Sequence, residues 1–171
     1  TRMTPRIYYQ DEQSVIWHGD CRDVLPTLPQ VDLVLTVPPY GIGAAHGVGG
    51  SGTKHYCQRW QSTSWDSQSP DSATLSLVVS QASNVVIWGF NYMADSLGCT
   101  QAVLVWDKKC QNGWADNFAD VEIAWTRGLT TSRAFRFLSM GAVRGRNTAE
   151  GAKVHPTQKP LALMKWCLEQ F

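Results

Sequence analysis

VDLVLTVPPYGIG, residues 31–43, begins as an apolar strand and runs without a break into two prolines, a tyrosine and two glycines. A run rich in Val and Leu with no clean polar alternation reads as a strand buried on both faces, and such strands belong to sheets with helices on either side. Pro38 and Pro39 stop the strand, because proline has no N–H to give the ladder. The same two residues fix the backbone, so that carbonyl oxygens point rigidly outward while Tyr40 offers a flat ring beside them. Val37 stands where such a turn usually carries a polar side chain.

Working outward, SVIWHGD (14–20), NVVIWG (84–89), AVLVWDK (102–108) and VEIAWT (121–126) read as further strands. Between and after them, helices are expected from Arg22 to Leu28 behind Asp20, over DSATLSLVVSQAS, over NYMADSLG up to Gly98, and over LALMKWCLEQF behind Pro160. A Gly- and Ser-rich loop from Gly41 to about Pro70 follows the opening stretch. The alternation predicts one α/β domain over residues 1–171, a mostly parallel sheet with helices on both faces. Open α/β sheets bind ligands beyond the carboxyl ends of their strands. The informative junctions are therefore 19–20, 37–41, 88–92 and 106–109.

The 171 residues are 43% hydrophobic, enough for one core and unlike a disordered chain. No apolar run approaches a membrane span and TRMTPRIYYQDEQ has no signal-peptide core, so a cytoplasmic protein with no membrane partner is expected. Five cysteines without CxxC spacing read as reduced thiols. The net charge of +1 conceals an asymmetry: eight basic residues lie between Arg127 and Lys165 against the single acid Glu150. Such asymmetry is usually a solvated face, but arginines interleaved with Phe135, Phe137 and Met140 are equally what phosphate-backbone contact requires. On that reading the partner is a nucleic acid contacted by Arg127, Arg133, Arg136, Arg144 and Arg146.

TVPPYG, preceded by HGDCRDVLPTLPQVDLVL and followed far downstream by VHPTQKPLALMKWCLEQF, resembles the DNA amino-methyltransferases in their permuted order, catalytic segment first. VVIWGFNY, VLVWDKK and FADVEIAWT resemble the same family, particularly its phage and prophage members, and the likeness covers nearly the whole chain. It implies a Rossmann-like methyltransferase fold, double-stranded DNA as the partner, and transfer of a methyl group from S-adenosylmethionine to the exocyclic amino group of a flipped adenine or cytosine. It also implies a catalytic segment at 14–126, a DNA-contact segment at 127–153 and a cofactor-proximal segment at 154–171. In the family pattern the residue before Pro-Pro accepts one amino hydrogen, the first proline carbonyl accepts the other, and the aromatic residue stacks on the base. By position these are Val37, Pro38 and Tyr40, with Pro39 between. Asp20 is implied at the adenosine, and His155, Thr157, Gln158 and Lys159 at the cofactor's amino-acid end.

Two departures shape the expectation. An isopropyl group accepts no hydrogen bond, and losing a preorganised contact of this kind costs about 3 to 4 kcal/mol, roughly 100- to 1000-fold in rate. The family also continues past the HPTQKP helix into a glycine turn that cradles the cofactor, whereas GVGGSGTKHY (47–56) neither follows a strand nor opens a helix and reads as a loop beside the base pocket. An incomplete sheet and impaired activity are therefore expected. The alternatives are a catalytically inactive DNA-binding remnant, or one half of a split enzyme completed by a second copy or a C-terminal fragment. The resemblance further puts the Asp20 strand at a sheet edge and the Pro38 strand near the centre. Of the remaining candidates, His18 with Cys21 lacks two further zinc ligands. Asp107 with Lys108 suits DNA contact or a surface ion pair, and Trp17, Trp88, Trp106 and Trp125 are core, with Trp88 the best placed to line a pocket. Asp116, Asp120 and Glu122 are only loosely spaced like metal ligands.

Overall fold

The structure, a computed structural model, describes residues 4–43, 64–110, 119–140, 143–144, 155 and 157–171. The chain opens with a hairpin, β1 (Arg6–Gln10) antiparallel to β2 (Val15–His18). Its turn is organised by Asp11, whose carboxylate accepts from the backbone N–H groups of Gln13 and Ser14 and from the Tyr9 hydroxyl. Helix α1 (Cys21–Val24), capped by Asp20, and a 3-10 turn (Leu25–Thr27) then lead to β3 (Val31–Thr36).

Helix α2 (Ser72–Ser80) follows, with Asp71 accepting from Thr74 N–H to cap it. After it come β4 (Ala82–Trp88), α3 (Phe90–Leu97), β5 (Val103–Asp107), β6 (Val121–Arg127) and β7 (Arg133–Arg136). A small ladder, β8 (Ser139–Met140) with β9 (Val143–Arg144), and helix α4 (Leu161–Leu168) complete the described elements.

The main sheet has the order β3-β4-β6-β5-β7. The expectation of a mostly parallel, Rossmann-like sheet is overturned here. β6 runs antiparallel to both β4 and β5, and of the six strand pairings four are antiparallel, leaving only β3·β4 and β5·β7 parallel. The connections explain the difference. β3 reaches β4 through a helical crossover, as a parallel pair requires, whereas no helix lies among the described residues between β5 and β6, and that connection returns antiparallel. Two placements expected from the resemblance are corrected as well. The SVIWHGD strand belongs to the separate hairpin, and β3 is an edge strand of the main sheet.

β4 is the centre of the core because its side chains alternate between two covered faces. Val86 and Trp88 pack with Leu104, Trp106, Ala124 and, from α4, Leu163 and Cys167. Val85 and Ile87 pack on the other face with Trp125, Leu75 of α2 and Met93 of α3. Complete burial of a side chain such as Ile87 or Leu104 contributes about 1.5–3 kcal/mol. Among the described residues no helix is long and apolar enough to cross a membrane.

Candidate functional site

At the end of β3 the chain turns through Val37-Pro38-Pro39-Tyr40 into Gly41 and Gly43, both at positive φ. Asp66, only 2% exposed, holds that turn: its carboxylate accepts from Gly41 N–H at 2.9 Å and its carbonyl from Gly43 N–H at 3.0 Å. Val37 is half-buried. Its side chain packs against the Trp88, Trp106 and Leu163 cluster, which is why an apolar residue is accommodated there.

Tyr40 goes to the other face of the sheet. Next to β3, the parallel strand β4 ends at Gly89, with φ of +86°, and a Cβ at that position would fall inside the Tyr40 ring. Glycine at 89 is thus required twice, by the backbone and by the close approach of the tyrosine. Tyr92, in the first turn of α3, stacks on Tyr40 with ring centroids 5.1 Å apart and planes 20° apart.

The Tyr40 hydroxyl donates to Glu122 Oε2 at 3.1 Å. Glu122 also receives Lys159 Nζ on Oε2 at 2.8 Å and Lys108 Nζ on Oε1 at 3.2 Å. The Lys159 ammonium, 8% exposed, lies over the Tyr40 ring at 5.2 Å and over Trp106 at 5.9 Å, a cation–π arrangement on both. Four segments meet in this way: the VPPY turn, the end of β5, the start of β6 and the HPTQKP segment before α4.

Electrostatics sort the protonation states. Burial, then the charge of Glu122 and its hydrogen bond, push the Tyr40 phenol well above its ordinary value, so it remains a donor. Burial alone would raise the Glu122 carboxyl, but Lys159 and Lys108 together outweigh it and hold the group below its ordinary value. Glu122 is therefore a charged acceptor saturated by three donors. Two ammonium groups thus face one carboxylate, and the Asp66 carboxylate lies at the neighbouring turn.

The sequence-predicted residues divide. Tyr40 and Lys159 come together, though they were expected at the base and at the cofactor respectively. His155 Nδ1 and the Thr157 hydroxyl are 3.0 Å apart, and His155 lies 5.0 Å from the Trp65 ring. Asp20 caps α1 and bonds the Arg22 guanidinium, beyond the hairpin rather than in the main sheet. A hydroxyl, an imidazole and an amide at Thr157, His155 and Gln158 suit the carboxylate and ammonium of an amino-acid moiety. Lys159 does not fit that role, being turned toward Glu122.

Among the arginines, Arg127 donates to the carbonyls of Val79, Ala82 and Ser83, tying the end of α2 to the start of β4. Arg133 and Arg136 are exposed on the outer strand β7, Arg136 standing 3.8 Å from Asp107. Arg144 lies in β9; Arg146, Asp116 and the 47–56 loop lie outside the described residues. Trp88 is fully buried in the core and lines no opening. Asp107 and Lys108 pair with Arg136 and Glu122, not with each other. Among the described residues no three His, Cys, Asp or Glu side chains gather as a metal site.

Sequence reasoning missed Asp66 and Tyr92, and took Glu122 only for a loosely spaced acid. The signal for Glu122 was an acid inside the apolar strand VEIAWT, facing Trp106 across the ladder. No family model, curated protein or solved structure matches the chain.

Proposed function

We propose that the protein is a DNA amino-methyltransferase-like protein, which holds the amino-bearing edge of a flipped adenine or cytosine at the VPPY turn. The observation that carries this reading is the Lys159–Glu122–Tyr40 linkage, which joins VPPY to HPTQKP as parts of one site. S-adenosylmethionine, when bound, supplies an electrophilic methyl group; His155, Thr157 and Gln158 are the residues proposed for its amino-acid end. The Pro38 carbonyl accepts one amino hydrogen of the base. Val37 accepts none, so the amino nitrogen is only half oriented and transfer is slow. The Tyr40–Tyr92 pair forms the aromatic side of the site, with the Lys159 ammonium over its inner ring.

A second reading, a DNA-binding protein without catalysis, is favoured by one observation, the packing of Val37 into the core cluster. Methyl transfer from labelled S-adenosylmethionine to duplex DNA separates the two. Slow transfer by the wild type, raised but not made fully efficient by Val37→Asp, supports the enzyme; no incorporation by either chain, with DNA still bound, supports the second reading. DNA contact has its own test. Replacing Arg133 and Arg136 together should reduce the slope of log K against log salt by about 2, and an unchanged slope removes them from the interface.

A further inference from the structure

Tyr40 is the ring that the resemblance puts against a base, yet it is half-buried and four described groups already contact it. Tyr92 stacks on it, the Lys159 ammonium lies over it, the Gly89 backbone abuts it and Glu122 holds its hydroxyl. Tyr92 is different. It is 43% exposed, its position is set by the left-handed Gly89 that starts α3, and its hydroxyl takes no partner among the described residues. Two stacked rings, the inner anchored by a carboxylate and the outer open to solvent, make a platform that a third flat ring extends.

We infer that Tyr92, rather than Tyr40, is the residue on which a nucleobase stacks, and that Tyr40 is a positioning residue that keeps Tyr92 in place. This rests on the base-holding reading proposed above. It changes which substitution matters. Removing the phenol oxygen of Tyr40 frees the anchor of the inner ring but leaves an aromatic face at Tyr92, whereas removing the Tyr92 ring removes the platform itself.

The test uses an oligonucleotide carrying 2-aminopurine opposite a mismatch, whose fluorescence is quenched when the base stacks on an aromatic side chain. Wild type should quench it, as should Tyr92→Phe, which keeps the outer ring. Tyr92→Ala and Tyr92→Leu should abolish the quenching and weaken binding by about 10-fold, in line with the loss of one base–aromatic stack. The leucine variant preserves bulk and helix propensity, and so separates stacking from packing. Quenching by both Tyr92 variants equal to that of wild type overturns the inference while leaving the base-holding reading intact. No quenching by wild type itself overturns both.

Discussion

Val-Ile-Trp occurs twice in this chain, at 15–17 in β2 and at 86–88 in β4, and the two copies meet opposite fates. In β4 all three residues are completely buried; in β2 all three are exposed, Trp17 to 36%. The strand propensity of the tripeptide is the same in both places, and both copies are strands. Burial differs because β4 has a neighbour on each side, β3 and β6, and helices over both faces, while β2 has only β1 across a short turn. Local sequence sets the extended backbone, and what covers it comes from elsewhere in the chain.

The strongest test of that contrast is a pair of alanine substitutions. Trp88→Ala should cost about 3–5 kcal/mol through the cavity it leaves, and Trp17→Ala should cost under about 1 kcal/mol, as for an ordinary surface change. Urea denaturation of both variants measures the difference, and equal losses would mean that the hairpin is covered after all.

Next in size is the buried charge cluster. Glu122→Gln leaves Lys108 and Lys159 without their counter-charge, which should cost about 3 kcal/mol at neutral pH. Because the folded protein holds the Glu122 carboxyl below its unfolded value, this contribution is complete above the unfolded value and is lost as pH falls through the lowered one. The gap between wild type and variant in urea should accordingly narrow from pH 7 to pH 3; a gap independent of pH would put the effect down to packing.

Gly89→Ala should cost about 1–3 kcal/mol from the left-handed backbone, with a further loss as Tyr40 is displaced. Its distinguishing sign is a change in near-ultraviolet circular dichroism from the tyrosine pair, absent if the ring does not move. The smallest effect belongs to the hairpin. Asp11→Ala removes the acceptor of two turn N–H groups, so amide exchange over 6–18 should accelerate while β4 and the unfolding midpoint stay unchanged. The Asp11 carboxyl is held low, first by the Gln13 N–H and then by the Tyr9 hydroxyl, so acidification through its lowered value should loosen wild type in the same way. Slowed or unaltered exchange would show that the turn does not depend on it.

Much of the secondary structure was legible because its signals are local. Asp71 and Pro160 mark helix starts, Gly98 a helix end, and the Val- and Ile-rich runs mark β3 to β6. The bonds of Arg127 to the Val79 and Ser83 carbonyls were not legible, because those partners are more than forty residues away in the chain. Glu122 misled for a related reason: an acid in an apolar strand has two explanations, a solvated position or a buried partner, and its partners lie on β5's end and before α4.

The sequence by itself determined where most of the strands and helices form, that VPPY ends a strand, and that Val37 brings no acceptor there. These follow from dihedral limits, side-chain periodicity and functional-group chemistry, which act within a few residues. Only the tertiary structure decided that β6 reverses between β4 and β5, that β2 stands outside the main sheet, and that Tyr40 is half-buried against Glu122 and Lys159 while Tyr92 is exposed. Strand order and burial depend on contacts between segments distant in the chain, and the free energy of such contacts is set by what each segment covers rather than by what it contains.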